Sequence, residues 1–395
     1  MSLRAASPDA SRSSLEDVLL ERVKSPAATA AALKASVALQ ATDGDSWSVM
    51  FDRGRTSLTF GADEAADLLV SADEQTLAGI IGGTVWGIQA FVDGRLVVRK
   101  NLALSLRLAG LFDDGGGDFH DASDVEVDGL STFYIAAGRG EPVILLHGLG
   151  ATNSSMLTTF LELSKDHRVI APDLPGFGDS DKPVRSYDAG FYARWLVRFM
   201  DGLGIDRAHL IGNSMGGRVA VETALAAPHR VEKVALLAPS SAFIKGRQYE
   251  QVVRFLRPEL AWLPLRLPRR TVVGSIKRLF QRPERLAEAW YESAADEFIR
   301  VFSSARGRIA FFSAARQIYL EKPYGETGFW DRLPELERPA LFIWGERDWL
   351  VPAKFERHVA RCLPEASSIV LDDCGHVPQY ELPDETHRLV REFLE

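Results

Sequence analysis

The sequence predicts an α/β fold: a doubly wound, mostly parallel sheet carrying a helical insertion, preceded by a smaller α+β domain. Three observations point there. First, the apolar runs "PVILLHG", "HRVIAPD", "AHLIGNS", "VEKVALLAP", "PALFIWG" and "SSIVLDD" have strand length and lack polar alternation. Such runs suit strands covered on both faces, as in a parallel sheet between layers of helices. Second, helical segments lie between most of them, for example Phe191–Leu203 and Met215–Ala227, the latter stopped by Pro228. Third, about ninety helical, Arg- and aromatic-rich residues (242–332) separate "VALLAPSSAF" from "ALFIWG". That is too long for an ordinary connection and reads as a subdomain over the sheet.

Residues 1–112 are written differently. Ser13 and Glu16 form a capping-box pattern ahead of a helix through "LEDVLLERVK". An Ala-rich stretch, Ala27 to Leu39, reads as a second helix. "WSVMF" and "TSLTF" flank "DRGR" as a hairpin, and "ADLLVSA" is a further strand. "DEQTLAGIIGG" is a short helix entered at Asp73 and left through Gly82 and Gly83. "GRLVVRKNLALSLRLAGLF" closes the domain with a strand and a helix. The two domains are joined by "DDGGGDFHDASD", residues 113–124, whose glycines and aspartates read as a linker. The second domain covers 125–395.

Bulk properties narrow the function. At 395 residues, the net charge of −8 argues against a general nucleic-acid binder, which needs a basic face to neutralise phosphates. Two cysteines, Cys362 and Cys374, provide neither a disulfide framework nor a Cys-rich metal site. They read as free buried thiols, pairing in an oxidising compartment being the alternative. No apolar run is long enough for a transmembrane helix, and "MSLRAASPDASRSSLEDVLL" lacks a signal-peptide core. The expectation is a soluble, cytoplasmic protein.

The chemistry concentrates at strand ends. Gly212-Asn213-Ser214-Met215-Gly216 follows a strand and opens a helix, the context of a G-x-S-x-G nucleophile elbow. Small residues are required where strand and helix approach closely, and the helix N-terminus favours a developing oxyanion. A serine needs a base, and the base an orienting group. Asp348 follows the strand of "FIWGERDWLVP", with Glu346 as a rival. His376 follows the last strand in "IVLDDCGHVPQYE". All three candidates fall at carboxyl ends of strands, where open α/β sheets place their sites.

From Val125 onward the sequence resembles the α/β-hydrolase family, in "HGLG", "DLPGFGDSDKP", "GNSMGG", "WGERDWLVP" and "CGHVPQYELP". The resemblance implies an α/β-hydrolase fold with a helical cap and a catalytic triad of Ser214, Asp348 and His376. It also implies an oxyanion hole from the backbone N–H groups of Leu149 and Met215, with His147 holding its loop. It implies no metal and no cofactor. The reaction it suggests is hydrolysis of an ester, or a similar carbonyl, of a mainly apolar substrate. "GNSMGG" is also similar to the elbow of carbon–carbon hydrolases of ring-fission products. A non-catalytic lipid-binding protein on the same scaffold is a third alternative. Residues 36–112 resemble sterol-carrier-protein-type domains, through "WSVMFDRGRTSLTFG", "ADLLVSADEQTLAGIIGG" and "AFVDGRLVVRKNLALSLRLAGLF". That implies a lipid ligand, or a scaffold derived from such a domain. In the cap, Trp262, Leu265, Leu267, Phe280, Trp290, Tyr291 and Phe311 are candidate pocket lining. Arg254, Arg257, Arg269, Arg270 and Arg278 are candidates for an acidic substrate or an anionic lipid surface, or simply solvated faces.

Overall fold

In the computed structural model, which describes residues 15–24, 34–112, 119–241, 250–255, 257–263 and 265–395, the chain divides into two units. The first holds residues 1–99 and 111–117, the second 100–110 and 118–395.

The first unit carries a five-stranded sheet. Its strands are β1 (Lys34–Ala41), β2 (Ser46–Asp52), β3 (Arg55–Phe60), β4 (Leu68–Ala72) and β5 (Val97–Arg99), in the order β3-β2-β1-β4-β5. The helix Leu15–Lys24, the hairpin β2–β3, and a helix Glu74–Ile81 capped by the Asp73 carboxylate on Thr76 N–H (2.8 Å) form where the sequence places them. The Ala-rich stretch does not. Residues 34–39 are strand, and 27–33, like Ser13, lie outside the described residues. β1 sits centrally, paired with β2 and parallel to β4, so sheet pairing on both edges overrides the helix propensity of alanine. A helix at Gly87–Val92 had no clear sequence signal.

The second unit is built on an eight-stranded sheet. Its strands are β6 (Phe119–Val127), β7 (Leu130–Ala137), β8 (Pro142–Leu146), β9 (Arg168–Pro172), β10 (Ala208–Asn213), β11 (Val231–Leu237), β12 (Ala340–Gly345) and β13 (Ser367–Leu371). The order is β13-β12-β11-β10-β8-β9-β7-β6. β8 to β13 run parallel, while β6 and β7 add an antiparallel edge. β6 corrects the linker: Phe119–Asp124 is strand, and 113–118 lie outside the described residues. The edge position explains how so acidic a segment pairs, since charge is tolerated where one side is unpaired. Between β11 and β12 stand the cap helices Glu250–Phe255, Arg269–Lys277, Glu288–Phe302, Ala305–Leu320 and Phe329–Arg332.

Residues 100–110, which the sequence assigns to the first domain, pack with the second unit. Lys100 turns the chain with φ +73, and Asn101 Oδ1 caps the helix Leu102–Phe112 by accepting from Leu104 N–H (2.9 Å). The Leu102 N–H donates to Glu297 (3.2 Å), and the Arg107 guanidinium clamps Asp124 (2.6 Å) and Asp179 (3.4 Å).

The closing helix Pro383–Leu394 buries His387, whose Nε2 lies 3.2 Å from Thr159 Oγ1. Burial lowers its pKa to about 4. A base depressed on folding contributes stability that is present above the unfolded pKa, about 6.5, and is lost as pH falls towards 4. His387→Gln is therefore expected to lose less stability than wild type between pH 7 and 5, by about 2 kcal/mol. Urea unfolding at both pH values checks this; equal losses would remove His387 from the acid response.

Candidate active site

The elbow is a steric construction. Ser214 sits at φ 53, ψ −114, a region that costs an L-residue on the order of 1–3 kcal/mol. A Cβ on Gly216 would lie 2.0 Å from the Leu146 carbonyl oxygen, and one on Gly212 2.3 Å from the Gly216 backbone. Neither backbone position has room to shift, so the spacing of glycines around Ser214 is set by packing of β8, β10 and the helix Met215–Ala226. Backbone bonds hold the turn: Ser214 N–H donates to Leu237 O (3.0 Å) and Ser240 N–H to Ser214 O (2.9 Å).

His376 and Asp348 meet beside it. His376 Nδ1 lies 2.7 Å from Asp348 Oδ2, with both residues buried. The other oxygen, Oδ1, accepts the N–H groups of Leu350 and Val351, each at 2.8 Å. With Asp348 accepting at Nδ1, the free lone pair of a neutral imidazole is on Nε2. The rival Glu346 is exposed and paired with Arg347 (3.2 Å), away from this pair. Ser214, His376 and Leu149 border one cavity, so the structure brings those three candidates to one space with Asp348 behind the histidine. Met215 is buried under the turn, and its N–H is the first of its helix, ahead of any intrahelical carbonyl.

The loop after β8 is fixed by His147. Its Nδ1 donates to Gly148 O (2.8 Å) and its Nε2 accepts from Leu174 N–H (2.9 Å). Complete burial lowers its pKa to about 4, keeping the ring neutral and this donor–acceptor pattern intact.

Two positioning groups had no distinct sequence signal. Asn213, the x before Ser214, donates to Leu237 O (3.0 Å) and to His376 O (3.2 Å), tying elbow and histidine loop together. Glu381 accepts from Gly375 N–H (2.8 Å) and from Gln281 N–H (2.7 Å), tying the histidine loop to the cap. Both depend on partners distant in sequence.

The cavity has a volume of about 580 Å³. Phe280, Trp290, Phe298, Phe302 and Phe311 form much of its wall, with Leu267 at one edge. Among the expected lining residues, Leu267, Phe280, Trp290 and Phe311 are placed there. Trp262 and Leu265 are instead exposed (64% and 41%), and Tyr291 is buried beside the cavity, its hydroxyl donating to Pro283 O (2.9 Å). No arginine or lysine borders the cavity among the described residues. Arg269 is bound to Asp296 (3.1 Å) and Glu292 (3.4 Å), and Arg278 stacks over Trp349 (5.2 Å). Arg254, Arg257 and Arg270 face solvent. Glu297, the one Asp, Glu, Lys or Arg side chain on the wall among the described residues, is engaged by Arg300 and the Leu102 N–H. Among the described residues no group of three or more His, Cys, Asp or Glu side chains is arranged to hold a metal ion. Cys362 and Cys374 are both free.

Comparison with known proteins agrees with this architecture. Residues 141–383 match the model of the α/β-hydrolase fold, and residues 17–113 that of the SCP-2 sterol transfer family. The chain is 31% identical to the 2-hydroxy-6-oxo-6-phenylhexa-2,4-dienoate hydrolase of Burkholderia cepacia, over 67% of this chain and 93% of that protein. It is also 31% identical to the dihydrolipoyllysine-residue acetyltransferase component of the acetoin cleaving system of Cupriavidus necator, covering 68% of each. Among solved structures, a bacterial membrane phospholipase A superposes with TM-score 0.60 at 28% identity, over 78% of this chain and 93% of that one. Among the described residues no helix is long and apolar enough to cross a membrane. The chain belongs to the α/β-hydrolase family, its hydrolase fold preceded by an SCP-2-type sterol-transfer domain.

Proposed function

We propose that the chain is a serine hydrolase cleaving an ester of a mainly apolar, acyl or lipid-like substrate through an acyl-enzyme. One observation carries this reading: Ser214 and His376 open into an aromatic-walled cavity with no cation on its described wall. Ser214 Oγ attacks the ester carbonyl while His376 Nε2 takes its proton, and Asp348 holds the ring and the resulting imidazolium. The N–H groups of Met215 and Leu149 receive the oxyanion. Collapse expels the alcohol, protonated by His376. Water then repeats the sequence on the acyl-enzyme, releasing the acid and restoring Ser214. No cofactor enters these steps. The SCP-2-type unit would hold a lipid-like ligand.

A second reading is carbon–carbon hydrolysis of ring-fission products, favoured by the likeness to the Burkholderia cepacia dienoate hydrolase. Such a substrate is a carboxylate, and burying its charge requires a paired cation. The described wall carries the carboxylate of Glu297 and no arginine or lysine, which supports the neutral ester instead.

Purified full-length protein assayed on a graded series of p-nitrophenyl esters, a lactone and a vinylogous diketone dienoate separates the readings. Apolar burial predicts kcat/KM rising at least about tenfold from a short to a medium acyl chain, with the dienoate slower than either. A dienoate turned over faster than every ester would favour the carbon–carbon reading.

A further inference from the structure

Part of the cap exposes apolar surface in a concentrated way. Phe255, Leu260, Trp262, Leu263, Leu265 and Leu267 are each 38% to 76% exposed. The other large exposed apolar side chains among the described residues are scattered singly between Leu20 and Val370, so this strip differs from ordinary surface. Its exposure is anchored rather than slack. Ala261, in its middle, is fully buried against Phe302, Ile309 and Phe312, and its carbonyl accepts from Arg308 Nε at 2.8 Å. One residue fixes the backbone while its neighbours Trp262 and Leu263 face solvent.

The charge along the strip is predominantly positive. Residues 254–270 contain five arginines and one glutamate, in a chain of net charge −8. Arg257, Arg266 and Arg270 are exposed, and none forms an ion pair among the described residues. The strip also reaches the active-site cavity, because Leu267 is both 38% exposed and part of the cavity wall.

We propose that this strip docks the hydrolase unit on an anionic lipid surface, from which an ester substrate enters past Leu267. The entering substrate rests on the ester reading above; the docking does not. Leucine and phenylalanine side chains bury at the boundary between headgroups and acyl chains, and tryptophan favours the same depth. Arginine stems lie along apolar surface while their guanidinium groups pair with lipid phosphates. Charge complementarity selects the lipid surface: the arginines attract anionic headgroups, and acidic side chains, which such a surface would repel, are nearly missing. Here Glu259 is the single acid of the strip.

The test uses the full chain carrying Ser214→Ala, so that vesicles are not consumed, in sedimentation with phosphatidylcholine vesicles with and without phosphatidylglycerol. Binding is expected to the anionic vesicles and to weaken with salt. Trp262→Ser with Leu263→Ser, and Arg257→Gln with Arg266→Gln and Arg270→Gln, should each lower partitioning at least about tenfold. Both variants should keep the wild-type circular dichroism spectrum and thermal midpoint, which shows that they fold. Absence of vesicle binding, or binding unchanged by both variants, overturns the proposal. A wild-type dimer that the Trp262/Leu263 variant converts to monomer also overturns it, assigning the strip to a second copy. Vesicle binding and ester turnover are separate readouts, so failure of either proposal leaves the other standing.

Discussion

Ser214→Ala is expected to lower turnover of an apolar ester by about 10⁴- to 10⁶-fold while leaving the fold intact. The substitution removes only the Oγ. The bonds that hold the elbow run through the backbone: Ser214 N–H to Leu237 O and Ser240 N–H to Ser214 O. Alanine tolerates the positive φ no worse than serine, so thermal stability should change little. The cavity and the proposed oxyanion donors, the N–H groups of Leu149 and Met215, remain, leaving a residual rate above that in water. A loss smaller than about tenfold would mean that His376 activates water directly, with no acyl-enzyme.

Asp348→Asn is expected to lower kcat by about 10⁴-fold with KM changed little. Asparagine has the shape of aspartate, and its Oδ1 can still accept from Leu350 and Val351 N–H, so the loop keeps its form. Its amide then faces His376 Nδ1, which aspartate approaches at 2.7 Å as an acceptor. An N–H donor there forces Nδ1 to accept and moves the ring proton to Nε2. The lone pair that should take the serine proton is gone. Asp348→Ala should cost a similar factor in rate, but also stability, through the unsatisfied N–H groups of Leu350 and the buried Val351. An Asp348→Asn enzyme of near wild-type kcat would put the orienting role elsewhere.

Much of this arrangement was legible in the sequence because it depends on local pattern. A strand covered on both faces has few polar positions, so β8 to β12 announce themselves as apolar runs, while the edge strand β13 is apolar in sequence yet half-exposed. The elbow announces itself because a Cβ at Gly212 or Gly216 would overlap backbone. What was not legible depends on partners far along the chain. Lys34–Ala41 is rich in alanine and becomes a strand only between β2 and β4. Residues 100–110 follow the pattern of the sterol-transfer domain yet pack with the hydrolase unit, through Glu297, Asp124 and Asp179. A truncation that isolates the hydrolase is therefore better cut before Lys100 than after the glycine-rich segment. Asn213 reads as filler in the motif, and its link to the His376 carbonyl exists only once β10 and the last loop are neighbours. The misplacement of Trp262 and Leu265 has a simpler cause. Pro258, Pro264 and Pro268 interrupt that stretch, so no helical period tells which side chains face inward.

The central claim, that Ser214 is the nucleophile, is tested most directly by mass spectrometry after treatment with a fluorophosphonate. The claim predicts one adduct per chain, on the peptide containing Ser214, and none on the Ser214→Ala protein. An adduct on another residue, or active enzyme that resists labelling while hydrolysing ester, would contradict it.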